Sequence, residues 1–163
     1  MTNRNRDKKV RVMASGVFDL LHPGHLYFLE EAKSLGDELV VVVAKDSTVR
    51  KRKHEPITPE KMRLKMVESL KIVDKAVLGY EDDPYKVVEE LKPDIIAIGY
   101  DQSFEPRELE EELRRRGMDV KVVRLKKLED ELNGTRKIIK KIIEWYEFQK
   151  AMKKIEGEKG ERR

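Results

Sequence analysis

Apolar residues along this chain fall into two kinds of segment, short β-branched runs and longer stretches with a helical period. The run at 38–44 is continuously apolar and of strand length, which is typical of a strand covered on both faces. By contrast Val87, Val88 and Leu91 recur three and four apart, as on one side of an amphipathic helix. The pattern predicts five strands, at 10–14, 38–44, 75–78, 94–99 and 120–125.

Helical patterns separate these strands. They cover the stretch that ends at Gly36, the stretches that begin at Pro59 and Pro84, residues 106–116, and a last helix that Thr135 can cap. In the helix after Pro59 we expect four residues to face inward: Met62, Met66, Val67 and Leu70. In the last helix we expect the inward residues to be Ile138, Ile139, Ile142, Ile143, Tyr146 and Met152.

Strands that alternate with helices favour a parallel sheet with right-handed crossovers. The sequence therefore predicts an α/β fold, a Rossmann-like doubly wound five-stranded parallel sheet in the order 3-2-1-4-5 with helices on both faces. Residues 1–155 are expected to form one domain and residues 156–163 a charged, disordered tail. In this strand order, a ligand belongs beyond the carboxyl ends of the first and fourth strands.

Composition narrows the class of protein. The chain has 163 residues, of which 42% are charged, and no cysteine, which excludes disulfides and thiolate chemistry. No apolar run approaches the roughly 18–20 residues of a membrane span, and the N-terminus lacks the apolar core of a signal peptide. Basic residues cluster at 4–11, at 50–53 and from 153 onward, but aromatic residues do not interleave with them as single-strand binding requires. We expect a cytoplasmic enzyme with small-molecule substrates, forming a homodimer, with no nucleic acid or membrane partner.

The most informative chemistry lies at His22-Pro23-Gly24-His25, between the first strand and the first helix. A helix N-terminus favours bound anions, and two imidazole donors there suit the charge that builds on a phosphate during transfer. Two histidines at this spacing also occur as surface residues or as half of a metal site. The absence of cysteine and the presence of only one further histidine, His54, weaken the metal alternative.

The whole run at 16–25, Gly-Val-Phe-Asp-Leu-Leu-His-Pro-Gly-His, resembles the signature of the HxGH nucleotidyltransferase superfamily. His22 and His25 are accordingly the predicted catalytic residues, and with Gly16, Val17 and Phe18 they are expected to bind the nucleotide. Asp19 is a candidate ligand for Mg²⁺ and equally a cap for its own loop.

A second polar loop follows the fourth strand at Gly99-Tyr100-Asp101-Gln102. Since the carboxyl ends of neighbouring parallel strands lie together, we expect Asp101 near the two histidines, where a carboxylate can take the ribose or the base edge of a nucleotide. A turn-forming role for this aspartate is the alternative.

Within the superfamily the chain is similar to the cytidylyltransferase-like group and most of all to archaeal FAD synthases, on the segments at 44–49, 56–57, 91–96 and 99–102. That resemblance implies transfer of AMP from ATP to FMN with a divalent cation present. It also implies that Gly134, Thr135 and Arg136 hold the triphosphate, and that Arg63 together with Arg52 or Lys53 contacts the acceptor phosphate.

The residues leave two other functions open, a CTP-dependent glycerol-3-phosphate (or similar phospho-alcohol) cytidylyltransferase and a non-catalytic nucleotide-binding regulator. The residues that form a flavin pocket are not evident from the sequence. Three tyrosines near loop ends, Tyr80, Tyr85 and Tyr100, are candidates for its walls.

Overall fold

The computed structural model describes residues 8–52, 54–129 and 134–160. Its strands are β1 (Arg11–Gly16), β2 (Glu38–Val43), β3 (Lys75–Leu78), β4 (Ile95–Ile98) and β5 (Lys121–Arg124). All neighbouring strands pair in parallel, in the order β3-β2-β1-β4-β5, which confirms the predicted topology.

Within the described ranges six helices connect and follow the strands: α1 (Pro23–Ser34), α2 (Asp46–Arg52), α3 (Glu60–Glu68), α4 (Pro84–Leu91), α5 (Pro106–Arg115) and α6 (Thr135–Gly160). Because side chains alternate along a strand, β1 contributes to two separate cores. Val12 and Ala14 pack with residues of α1 and α3, whereas Met13 packs on the other face with residues of α4 and α5. The sheet thus carries helices on both faces, as a doubly wound fold requires.

Local sequence explains where the helices begin and end. Pro23 occupies the first turn of α1, where its missing N–H costs nothing. Asp83 caps α4 by accepting a hydrogen bond from the Tyr85 amide at 2.9 Å. Gly36 follows α1 at a point where an added Cβ would lie 2.7 Å from the Val10 carbonyl oxygen. Only glycine fits between α1 and the sheet there.

The predicted inward face of α3 is wrong at its two methionines. Met62 and Met66 are 55% and 51% exposed, and the buried residues of this helix are Arg63 and Val67. One residue along a helix corresponds to a rotation of about 100°. The hydrogen bonds of the Arg63 guanidinium account for this rotation, because they require the arginine to face inward.

The last helix also differs from its predicted packing. Ile138 and Ile139 are half-buried, but every residue from 140 to 157 is exposed, including Ile142, Ile143, Tyr146 and Met152. Beyond its first turn, α6 does not lie against the described body of the same chain. The helix also continues through residues 156–160, where the sequence predicts a disordered tail. The basic residues 50–52 form the end of α2. In the part of the chain that the structure describes, no helix is both long and apolar enough to span a membrane.

Candidate active site

The carboxyl ends of β1 and β4 lie side by side at the centre of the sheet, where the chain order reverses. Their pairing runs from Val12 with Ile95 to Ala14 with Ala97. Beyond it, the Gln102 side-chain amide donates to the Ser15 carbonyl at 3.0 Å and its oxygen accepts from the Gly99 amide at 2.9 Å. Gln102 therefore ties the loop after β4 to the end of β1, from which the histidine loop departs. That Asp101 meets a nucleotide beside the histidines stays a prediction.

The two histidines stack on each other. Their ring centroids lie 3.7 Å apart with the planes 22° from parallel, and the Phe18 ring lies 5.4 Å from that of His25. His22 is the N-cap of α1, and its Nδ1 accepts a hydrogen bond from the His25 amide at 3.4 Å. An Nδ1 that accepts leaves the ring proton on Nε2, so neutral His22 presents Nε2–H as a donor.

Burial keeps both imidazoles uncharged in the free protein. It lowers the pKa of His22 below its ordinary value, and burial together with the nearby His22 lowers the pKa of His25 to about 3, against an opposing effect of Asp19. The Nδ1 of His25 is buried and has no hydrogen-bond partner among the described residues. Since buried polar atoms are nearly always paired, this atom is available to bind a water molecule or a ligand.

The loop between β1 and α1 has an unusual backbone. Phe18 and Leu20 have φ angles of 56° and 49°, in the left-handed region that side chains other than glycine rarely adopt. Gly16 leaves room for the Phe18 ring, because a Cβ there would lie 3.0 Å from it. Conformations of this kind persist only where surrounding contacts enforce them, and they cluster at functional sites.

Asp19 supplies the first of these contacts. Its side chain is buried and accepts hydrogen bonds from the Ile57 amide at 2.7 Å, the Thr58 amide at 3.0 Å and the Thr58 hydroxyl at 2.6 Å. Burial alone would raise the pKa of Asp19, but these bonds and the charge of Arg63 bring it below its ordinary value. In the free protein Asp19 fastens the β1 loop to residues 57–58, and its role as a metal ligand stays a prediction.

Arg63 supplies the second contact. Its side chain is fully enclosed and donates to the Thr58 carbonyl at 2.9 Å, the Val17 carbonyl at 2.6 Å and the Asp46 carboxylate at 2.6 Å. All of the guanidinium nitrogens are thus engaged by protein oxygens. The predicted contact of Arg63 with an acceptor phosphate would require it to exchange at least one of these partners.

The loop after β4 is held from its outer side. At the end of β5 the Arg124 guanidinium donates to the carbonyls of Gly99 and Gln102, at 3.0 and 2.9 Å, and also to that of Phe104. Asp101 is exposed, as a residue that meets a ligand at a strand end must be.

The N-terminus of α6 also lies against the loop between β1 and α1. The Thr135 hydroxyl donates to the Asp19 carbonyl at 2.7 Å, which places the predicted triphosphate segment against the histidine loop. Gly134 has open space where a side chain would be, and Arg136 is exposed.

The remaining predicted residues differ in their surroundings. Arg52 is exposed at the end of α2, and Lys53 lies outside the described residues. The Tyr80 hydroxyl donates to Glu90 at 2.6 Å, and the Arg116 guanidinium lies 4.0 Å over the Tyr85 ring, so both tyrosines are engaged on the α4 side. Tyr100 is 49% exposed beside Asp101.

The structure adds residues that sequence reasoning missed. Thr58, Asp46 and Arg124 act through backbone carbonyls and ion pairs that connect distant segments, which no local pattern reveals. Arg124 did carry a signal, because a charged residue at the carboxyl end of a predicted strand lies at the same sheet edge as Asp101. Beside Asp46, a cleft of about 480 Å³ is lined by further charged residues, among them Lys45, Arg50 and Lys61.

Comparisons with known proteins agree with this geometry. The family model described as cytidylyltransferase-like matches residues 13–155. A curated relative from Aciduliprofundum boonei, named FAD synthase, is 67% identical over 83% of this chain and 91% of its own length, and one of the same name from Archaeoglobus profundus is 57% identical over 83% and 87%.

Solved structures show the same fold. A Thermoplasma volcanium protein named as a lipopolysaccharide core biosynthesis protein is 52% identical, with a TM-score of 0.74 over 75% of this chain and all of its own. A pantoate-beta-alanine ligase from Francisella tularensis shares only the fold, with 14% identity and a TM-score of 0.55 over 78% of this chain and 62% of its own. With its histidine turn at the sheet's switch point and a family model spanning most of its length, the chain belongs to the cytidylyltransferase-like family.

Proposed function

We propose that this protein transfers the AMP moiety of ATP to FMN, giving FAD and pyrophosphate. The observation that carries the proposal is the similarity to relatives named FAD synthase, at 67% and 57% identity over nearly their whole length. The residues around the histidine turn support the reaction class, and the relatives supply the flavin.

The reaction does not need a strong general base. A phosphate oxygen of FMN forms a bond to the α-phosphorus of ATP, and the bond from that phosphorus to the bridging oxygen of the β-phosphate breaks. Because a phosphomonoester has a second pKa near about 6, the attacking oxygen is already ionised at neutral pH. The protein therefore has to align the two phosphates and stabilise the charge that develops on the non-bridging and leaving oxygens.

His22 and His25 are suited to the second task. The Nε2–H of His22 is a neutral donor of fixed tautomer, and the positive end of the α1 dipole lies at the same place. We assign the nucleotide's ribose or base to Asp101 and its triphosphate to Gly134, Thr135 and Arg136. The acceptor phosphate is assigned to Arg52 or Lys53, with Arg63 as a further candidate.

A divalent cation completes the proposal, but the described residues form no cage for it. In the described ranges no group of three histidine, cysteine or acidic residues is placed to hold a metal, and both oxygens of Asp19 already accept hydrogen bonds. Mg²⁺ commonly binds through substrate phosphates with few protein ligands, so it would arrive with the nucleotide. We expect a chelator to abolish activity while the cooperative unfolding of the protein stays unchanged.

The test is to incubate the purified protein with ATP and FMN, and separately with CTP and glycerol 3-phosphate, and to measure pyrophosphate and product mass. We expect FAD from the first pair. CDP-glycerol from the second pair without FAD would support the cytidylyltransferase alternative, and tight nucleotide binding without pyrophosphate would indicate a regulator. Part of the proposal is that the enzyme acts in the cytoplasm as a homodimer.

A further inference from the structure

The last helix presents apolar side chains to solvent along most of its length. Seven large ones between Ile142 and Ile155 are 41–62% exposed, and they are Ile142, Ile143, Trp145, Tyr146, Phe148, Met152 and Ile155. They leave several hundred Å² of apolar surface on a single helix. The largest apolar patch on a typical monomer is roughly 300–600 Å² and is often functional, and each partner in a stable interface buries roughly 800 Å².

A free helix of this kind is not stable by itself. At 26 residues α6 is about 39 Å long, yet side chains from 140 to 157 have no covering neighbour in the described body. Helices in proteins owe most of their stability to the packing of an apolar face. The exposed part of α6 therefore needs a cover.

The spacing of its apolar residues indicates what the cover is. Trp145, Phe148, Met152 and Ile155 follow one another at intervals of three, four and three, the spacing of a seam between two paired helices. Ile143 and Tyr146 lie on a different side, so that apolar residues occupy roughly two-thirds of the helix circumference. A helix that lies on a membrane has a single apolar face opposite a strongly charged one, so a distribution this broad favours a protein partner.

The stretches of this sequence outside the described ranges are too polar to serve as the cover. The residues outside the described ranges are 1–7, 53, 130–133 and 161–163, and among them only Met1 and Leu132 are apolar. Homodimers with a two-fold axis are by far the commonest assemblies among soluble oligomers, which favours a second copy of this chain as the cover.

We propose that residues 142–155 of α6, hereafter the α6 face, form an interface with the α6 face of a second copy of this chain. The seam of Trp145, Phe148, Met152 and Ile155 lies against the same four residues of the partner. This inference locates the interface and is independent of which substrates the enzyme uses.

The chain contains its own probe for this contact. Trp145 is its only tryptophan, and in the isolated chain its side chain is 62% exposed. We expect the full-length protein to have twice the chain mass of 19.2 kDa in sedimentation experiments. The tryptophan emission should be blue-shifted in the dimer and shift to the red on dilution, together with the loss of mass.

The decisive variant is Phe148→Glu/Met152→Glu, which leaves the fluorescent probe Trp145 in place. Because both residues are exposed within one chain, the fold should persist, as circular dichroism would show, while the dissociation constant rises at least about a hundredfold. Lys154→Glu is the matched control, since it changes the net charge by the same amount on the polar side of α6 and should leave the dimer intact.

A second readout covers the case in which the double variant unfolds. The chain has no cysteine, so Gln149→Cys places a single thiol between seam positions. We expect it to form a disulfide-linked dimer on oxidation, and Lys154→Cys to form much less.

Three results would overturn the proposal. A monomer with blue-shifted emission at every dilution would mean that α6 folds back on its own body. A monomer whose emission shifts only with anionic lipid vesicles would indicate a membrane-binding helix. A dimer that survives Phe148→Glu/Met152→Glu would place the interface on another surface. Each of these readouts is separate from FAD synthesis, so the outcome does not depend on the proposed activity.

Discussion

The two loops that meet at the candidate active site are held in different ways. The loop after β1 is fixed from within, because Phe18 and Asp19 are 3% and 6% exposed and the bond partner Arg63 is 1% exposed. The loop after β4 is fixed from outside by Arg124, with Tyr100 and Phe104 exposed at its surface. Reacting phosphates need positions defined within a fraction of an ångström, whereas a base or ribose tolerates adjustment. We expect substitutions in the first region to act on stability and turnover, and those in the second to act on nucleotide binding.

Arg63→Ala is the strongest test of how the loop after β1 is held. It leaves the Asp46 carboxylate and the carbonyls of Val17 and Thr58 without their donor, and breaking a buried ion pair costs about 3–5 kcal/mol. Chemical denaturation should show this loss, with turnover falling as well. Lys65→Ala on the exposed side of α3 is the control, expected within about 0.5 kcal/mol of the parent. Unchanged stability with a raised KM for FMN alone would instead assign Arg63 to the acceptor phosphate.

His25→Ala is expected to lower turnover by about 10²–10³-fold, the usual cost of removing one donor to a transition-state charge. Nucleotide affinity should change far less, because the donor acts mainly in the transition state. Steady-state kinetics beside direct measurement of ATP binding separates the two quantities. Turnover close to that of the parent would remove His25 from the mechanism.

Arg124→Gln tests the role of the loop after β4. Loss of the bonds to the carbonyls of Gly99 and Gln102 should loosen the β4 loop and raise the KM for ATP about tenfold, with a smaller effect on kcat. Arg115→Gln, on the exposed surface of α5, should change neither constant. If Arg124→Gln lowers kcat and leaves KM unchanged, the loop after β4 acts on turnover and not on nucleotide binding.

The last predicted effect, small at any one pH near neutrality, is on the pH dependence of stability. Since the pKa of His25 falls to about 3 on folding, the unfolded chain binds a proton between about pH 6.5 and pH 4 that the folded chain does not. Folded protein is therefore most stable above this range and loses stability as the pH falls. His25→Gln should flatten the slope by up to about 1.4 kcal/mol per pH unit. Equal slopes in the parent and in His25→Gln would mean that His25 is not buried as a neutral group.

The sheet and its switch point could be predicted because they depend on local patterns, namely apolar runs of strand length and helical periods. The histidine turn was recognisable for the same reason, since its residues are contiguous. What could not be predicted rests on contacts between distant segments. Apolar periodicity alone selected Met62 for the inner face of α3, whereas the bonds of Arg63 to Val17 and Asp46 decide it. The exposed length of α6 was mispredicted for a related reason, because its cover does not lie in the described part of the same chain.

The bond from Thr135 to Asp19 has a consequence for the order of events during synthesis. The two residues are 116 positions apart, so at about 5–20 residues per second the second follows the first by roughly 6–23 s. The histidine turn is made early, and β4, which pairs beside β1, comes later along the chain. A growing chain therefore holds both histidines for seconds before Thr135, in the proposed triphosphate segment, has been made and can bond to Asp19.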